Sequence, residues 1–172
     1  MDLVKQQSGS LVEAITNTFE TMLSCELEGP IVDNRNLPGS NIFLTENQLS
    51  GEVDFSIQLQ MHLDAVKAIA SRVFSLDDES EKDFEILNDV FLEIDNIICG
   101  TVRSHLVDNS VDFSMDRTYF RIIFMEEKNK QKSEEQTDIT REYLFVISDS
   151  PIKIVIKYPN SSSFEVCSSL LE

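Results

Sequence analysis

The stretch Asn88-Asp89-Val90-Phe91-Leu92-Glu93-Ile94-Asp95-Asn96-Ile97-Ile98-Cys99-Gly100 carries the strongest structural signal in the chain. At about 100° per residue, Leu87, Val90, Ile94, Ile97 and Ile98 gather on one side of a helix, and Asp89, Glu93, Asn96, Gly100 and Arg103 gather nearly opposite. The apolar side predicts packing on a core. The other side sets a carboxylate and an amide one turn apart with a glycine beside them, a flat polar surface that another molecule can approach closely. Most polar helix faces are only solvated. Asparagine is a poor helix former, however, and a mid-helix glycine costs roughly 1 kcal/mol against alanine. A stripe that holds both has a reason other than helix stability.

Upstream of this helix, Val53, Phe55, Ile57 and Leu59 alternate with Asp54, Ser56, Gln58 and Gln60, which predicts a strand with one core face and one wet face. Ile42-Phe43-Leu44 reads as a short strand before it. After Leu63 the period changes to that of a helix, with Val66, Ala70 and Val73 inward. The first element is a helix over Ser10 to Glu26, with Leu11, Ile15, Phe19, Met22 and Leu23 at helical spacing, Ser8 or Ser10 as cap, and Glu28-Gly29-Pro30 as its end. Asn34 to Ser40, with Pro38-Gly39, is a turn-rich connection. Ser75 to Glu81 is an acidic linker whose charge favours a helix N-terminus.

Downstream, Asp108-Asn109-Ser110 reads as a turn, and strands are expected over Val111 to Met125, Tyr143 to Ile147 and Ile152 to Tyr158. Glu126 to Glu142, poor in apolar residues, reads as an extended loop between paired strands. Pro159 to Ser163 ends the last clear strand, leaving Phe164 to Leu171 open. Leu11 to Thr16 can be laid over Phe91 to Asn96, which puts Glu13 under Glu93 and Thr16 under Asn96. Each helix then precedes strand-like sequence, as in a duplicated unit, although two amphipathic helices can overlay this way by chance.

With 172 residues, 41% of them hydrophobic, the chain can bury a real core as one domain or two intertwined halves. It contains no apolar run near the roughly 20 residues a membrane helix needs, and Met1 to Gln7 has no secretory character. A net charge of −17, from 31 acidic and 14 basic residues, repels phosphates and so disfavours nucleic acid or an anionic membrane as partner. Cys25, Cys99 and Cys167 are odd in number and lie in apolar stretches, which suits reduced cytoplasmic thiols. His62 and His105 lack cysteines at ligand spacing, so no metal site is expected. His105, near a helix end, suits a charge interaction with that terminus better than a general base. Ser114 has no nucleophile-elbow frame, and there is no phosphate-binding glycine loop.

Asp89-x3-Glu93-x2-Asn96, its continuation Ile97-Ile98-Cys99-Gly100, and the upstream Leu49-Ser50-Gly51-Glu52-Val53-Asp54-Phe55-Ser56-Ile57 with the helix-like stretch His62 to Phe74 together resemble the CheC/CheX/FliY family of chemotaxis phosphatases. The resemblance covers roughly residues 10 to 125, most closely 50 to 105. It departs from the family where Met115 is followed by Asp116 rather than by proline. It implies an α+β fold over 1-172 as a single CheX-like domain, a largely antiparallel β-sheet with packed α-helices, pseudo-duplicated, and a homodimer in the cytoplasm.

The resemblance also implies an activity: removal of the phosphoryl group from a phosphorylated CheY-like response regulator. An aspartyl phosphate already sits beside Mg²⁺ and a lysine that the regulator supplies, so the phosphatase needs no intrinsic cofactor. What remains is to place a water in line with the phosphorus. Asn96 fits that task, because a carboxamide offers the water a donor and an acceptor without adding charge. Glu93 would pair with the regulator's lysine. Asp89 matches the first position of the signature, and Gly100 and Arg103 flank it as docking residues. With the overlaid first helix lacking the amide, one site per chain is expected. The alternatives are a module that binds a regulator without chemistry, and a dimeric adaptor in a signalling or motility assembly, which would expose a large apolar patch.

Overall fold

The alternation that begins at Phe55 continues to His62, every second side chain being buried and the others half-buried, as a strand packed on one face requires. The computed structural model describes residues 3–31, 37, 41–51, 54–75, 83–108, 113–123 and 138–159. Helix α1 spans Leu3–Met22, strand β1 Glu28–Ile31, β2 Ile42–Gly51, β3 Phe55–His62, α2 Leu63–Val73, α3 Phe84–Asp108, β4 Phe113–Ile123, β5 Asp138–Ile147 and β6 Ser150–Pro159. The strands form a six-stranded sheet in the order β1-β5-β6-β3-β2-β4, and every pairing is antiparallel.

That order reads the same backwards when β1 is exchanged with β4, β2 with β5 and β3 with β6. Each exchange pairs an element after α1 with one after α3, so the expected duplication is present in the topology. The halves interlock: β1 pairs with β5 of the second half, and β4 pairs with β2 of the first.

Registers fix which residues share the inner face. Phe43, Thr45, Asn47 and Leu49 stand opposite Met61, Leu59, Ile57 and Phe55, and the row continues to Ile152, Ile154 and Ile156. These residues and the buried sides of all three helices make one core, to which α1 brings Leu11, Ile15 and Phe19. Phe43 stacks on Phe84 at 5.4 Å between ring centroids and meets Phe91 at 5.1 Å, holding the start of α3 against β2. Such aromatic pairs contribute about 0.5–1.5 kcal/mol each beyond burial.

Several element limits differ from expectation for local reasons. The first helix begins at Leu3, runs through Ser8 and Ser10, and ends at Met22 instead of Glu26. Ser24 takes a left-handed conformation (φ 50°), and the Cys25 N–H returns to the Phe19 carbonyl at 2.9 Å, closing the helix without a glycine. Glu28-Gly29-Pro30 therefore does not end the helix but opens edge strand β1, with a cis Gly29–Pro30 bond at its irregularity. β2 runs ten residues where three were expected, and Asp138 to Glu142, expected in a loop, belong to β5. Ser148 and Asp149, both at positive φ, make the two-residue turn between β5 and β6, and Arg72 donates to the Ser148 hydroxyl at 3.1 Å. The expected linker over 76–81, the tip of the turn at 109–110, loop residues 126–137, Cys167 and 164–171 lie outside the described residues, as does most of 34–40.

Candidate functional site

Helix α3 is twenty-five residues long, and its buried stripe is Leu87, Val90, Phe91, Ile94, Ile98, Cys99 and Val102. Relative to the sequence reading the stripe is rolled: Phe91, Cys99 and Val102 join it, while Ile97 turns half out. The opposite stripe stays as expected. Asp89, Glu93, Gly100 and Arg103 are exposed and Asn96 is half-buried. A Cβ added at Gly100 would meet no atom of another described element within 4 Å, so no packing demand among the described residues explains the glycine.

Asn96 lies at the edge of a shallow groove of about 540 Å³ between α1 and α3. Ala14, Thr18 and Met22 form the α1 wall, one residue per turn. On the α3 side, Gly100, Thr101 and Ser104 continue from Asn96, and His105 closes the end. The two helices touch through Thr18 and Thr101, whose hydroxyl oxygens are 3.0 Å apart. Each hydroxyl also lies within hydrogen-bond reach of the carbonyl four residues back in its own helix, Ala14 and Ile97 respectively. Met22 is 58% exposed, an apolar side chain held open beside the polar stripe.

Asp95 points the other way. It is 5% exposed and sits under the site, facing β2. The Thr45 hydroxyl donates to its Oδ1 at 2.6 Å, and the Asn47 amide donates to Oδ1 and Oδ2 at 3.1 and 2.9 Å. The same amide reaches the Cys99 sulfur at 3.2 Å, and the Cys99 thiol lies 3.7 Å from Asp95 Oδ1. Burial, then the Asp95 charge and the thiol's hydrogen bond to it, push the Cys99 thiol far above the ordinary cysteine range, with the Asn47 contact opposing weakly. The thiol is held neutral and unreactive.

Sequence reading brought Asp89, Glu93, Asn96, Gly100 and Arg103 to one face, where they stand. It missed Asp95, Thr45, Asn47 and the α1 wall. One signal was available: Asp95 falls about 60° beyond Ile98, at the edge of the inward arc, where a carboxylate needs donors. Its donors lie on a strand read as ending at Leu44. Among the described residues, no group of three or more His, Cys, Asp and Glu is placed to hold a metal ion, and no helix is long and apolar enough to cross a membrane.

No protein-family model matches the sequence, and no curated protein matches it. Solved structures do. CheX from Vibrio vulnificus superposes with a TM-score of 0.66 at 14% identity, over 92% of this chain and 99% of that one. The match to the CheX–CheY–BeF3–Mg²⁺ complex from Borrelia burgdorferi has a TM-score of 0.62 at 20% identity, over 87% of this chain and 95% of that one. The chain has the CheX/CheC-like fold. The FliM middle domain from Vibrio alginolyticus shares this CheX/CheC-like architecture more distantly, with a TM-score of 0.55 at 8% identity over 98% of both chains.

Proposed function

We propose that this protein is a phosphatase of a phospho-aspartyl, CheY-like response regulator. The observation that carries the reading is the outward stripe of α3. An acid and an amide, Glu93 and Asn96, stand one turn apart on a CheX-like fold, beside a glycine that no packing among the described residues requires. One similar structure is a CheX bound to CheY with BeF3 and Mg²⁺. By analogy, the partner of this chain is a regulator that brings its own Mg²⁺.

In this reading α3 lies across the regulator's phosphorylation pocket. Glu93 pairs with the regulator's lysine and sets the depth of insertion. Asn96 accepts a hydrogen bond from a water and donates one to it, holding the water in line with the phosphorus. Attack breaks the bond between phosphorus and the aspartyl oxygen, releases the carboxylate, and leaves inorganic phosphate that keeps the water's oxygen and both of its protons as H2PO4−. Asp89 and Arg103 flank the contact, and Gly100 lets the partner's backbone come close. The protein acts in the cytoplasm as a homodimer formed through the outer face of the sheet, where Leu44, Leu144 and Val146 are half-buried beside polar neighbours.

The likeness in fold to FliM solved in complex with SpeE from H. pylori supports a second reading, a docking module without chemistry. The test is the decay of a phosphorylated CheY-type regulator with wild type and Asn96→Ala. Acceleration that the substitution reduces by about 100-fold, the effect of misplacing a reacting group, is the expected result. Binding without acceleration would leave the docking module.

A further inference from the structure

The buried cluster beneath the site does something that the core does not need. An apolar triad would fill the same space, and replacing buried charged groups by well-packed hydrophobic ones is often neutral or stabilising. On the other side of the sheet β5 turns in Phe145 and Ile147, both fully buried, so apolar residues can fill the inner face. Among the described residues, Asp95 is the one buried carboxylate.

We propose that Asp95, held by Thr45 and Asn47, is a positioning clamp that fixes the roll of α3 about its axis and so the direction in which Glu93 and Asn96 project. The clamp rests on the reading of that stripe as a phosphatase site. Asp95 is the immediate neighbour of Asn96 and lies about 200° round the helix from Glu93, so it anchors the side opposite to the working face. Apolar packing is non-directional, whereas hydrogen bonds weaken steeply as they bend. Three bonds of 2.6–3.1 Å from two residues of one strand therefore hold a rotation that the surrounding isoleucines do not. A roll of about 20° would sweep a side-chain tip about 5–6 Å from the helix axis through about 2 Å. The strand is shaped at the same place. Between Glu46 and Gln48 the register against β4 shifts, so that Asn47 sits at a bulge, a device that re-aims side chains next to active sites.

The test compares Thr45→Val, which keeps the shape and removes one donor, with Thr45→Ser, which restores it, and with Val66→Ala, which removes core volume in α2 away from the cluster. Thr45→Ala takes the place of the valine variant if that one does not fold. Each is assayed on a phosphorylated regulator for kcat and KM, with the thermal midpoint measured alongside. Thr45→Val is expected to lose about 10-fold in kcat with KM within about twofold, as for a displaced but present group, while Thr45→Ser and Val66→Ala keep the wild-type kcat. A wild-type kcat in Thr45→Val, or an equal loss in Val66→Ala, overturns the clamp. If wild type does not accelerate decay at all, the phosphatase reading falls. The clamp is then decided by the side-chain amide signal of Asn96 in an NMR spectrum. A shift in Thr45→Val that is absent in Val66→Ala supports it, and an unmoved signal overturns it.

Discussion

Replacing Asp95 by alanine leaves two buried donors without their acceptor. Thr45 is 2% exposed and Asn47 6%, so both donors lie out of reach of bulk water. Hydrogen bonds to a charged group contribute about 1.5–3 kcal/mol each. The three here are not additive, because two come from one amide, and removing a buried charge relieves part of its desolvation. A buried neutral donor left unsatisfied costs about 1–3 kcal/mol, so the two stranded here together cost about 3–5 kcal/mol. For a chain of this size each kcal/mol moves the thermal midpoint by about 2–4 °C, so Asp95→Ala is expected to melt roughly 6–20 °C below wild type. The chain has no tryptophan, so urea unfolding is best followed by far-ultraviolet circular dichroism, with the slope expected to stay constant and the midpoint to fall. The triple variant Thr45→Val, Asn47→Leu, Asp95→Leu removes all three polar groups together and should recover most of the loss. A wild-type midpoint for Asp95→Ala, or a triple variant no more stable than the single one, would refute the view that unmatched donors set the cost.

Gly100→Ala should stabilise α3 by about 1 kcal/mol, since a Cβ there meets no other described element within 4 Å. If a partner packs on that spot, the same change raises KM while urea resistance rises; resistance without a KM change would remove Gly100 from the docking surface. The Cys99 thiol should resist iodoacetamide at pH 8.5 until the protein is unfolded, because its folded-state pKa is raised by burial and by Asp95. A raised folded value means that the folded protein keeps a proton which the unfolded chain loses. The associated stability is therefore complete below about pH 8.5 and falls as pH rises beyond it. Cys99→Ala should flatten that decline in urea titrations between pH 7.5 and 9.5. Burial also pushes the Tyr143 phenol up to about 12, a tendency that Arg141 opposes. A further loss of stability should follow between about pH 10 and 12, absent in Tyr143→Phe.

The three helices and the polar stripe of α3 were legible from periodicity, while the α+β class with its antiparallel sheet came from the family resemblance. Ends were less legible where a residue did what another usually does. Ser24, not a glycine, turns the chain after α1, and Gly29-Pro30 reads as a breaker although it opens an edge strand. β2 was cut short because Thr45 and Asn47 look outward-facing to a rule that expects apolar residues inward. Their inward orientation makes sense only when Asp95 is known to face them, and that contact spans fifty residues of sequence. The core of the site was thus visible as a surface and invisible as a foundation.

The exchange of edge strands between the halves has a consequence for how the chain is made. Among the described residues β1 pairs with β5 alone, which is synthesised about a hundred residues after it. β3 waits in the same way for β6. At synthesis rates of about 5–20 residues/s the first half spends several seconds or more with an incomplete sheet. Neither half can be released as a finished piece, and a chain truncated before β5 offers open hydrogen-bonding edges to its neighbours on the polysome. Completion of the sheet waits for β5 and β6, and termination before them should yield aggregates in place of a smaller working unit.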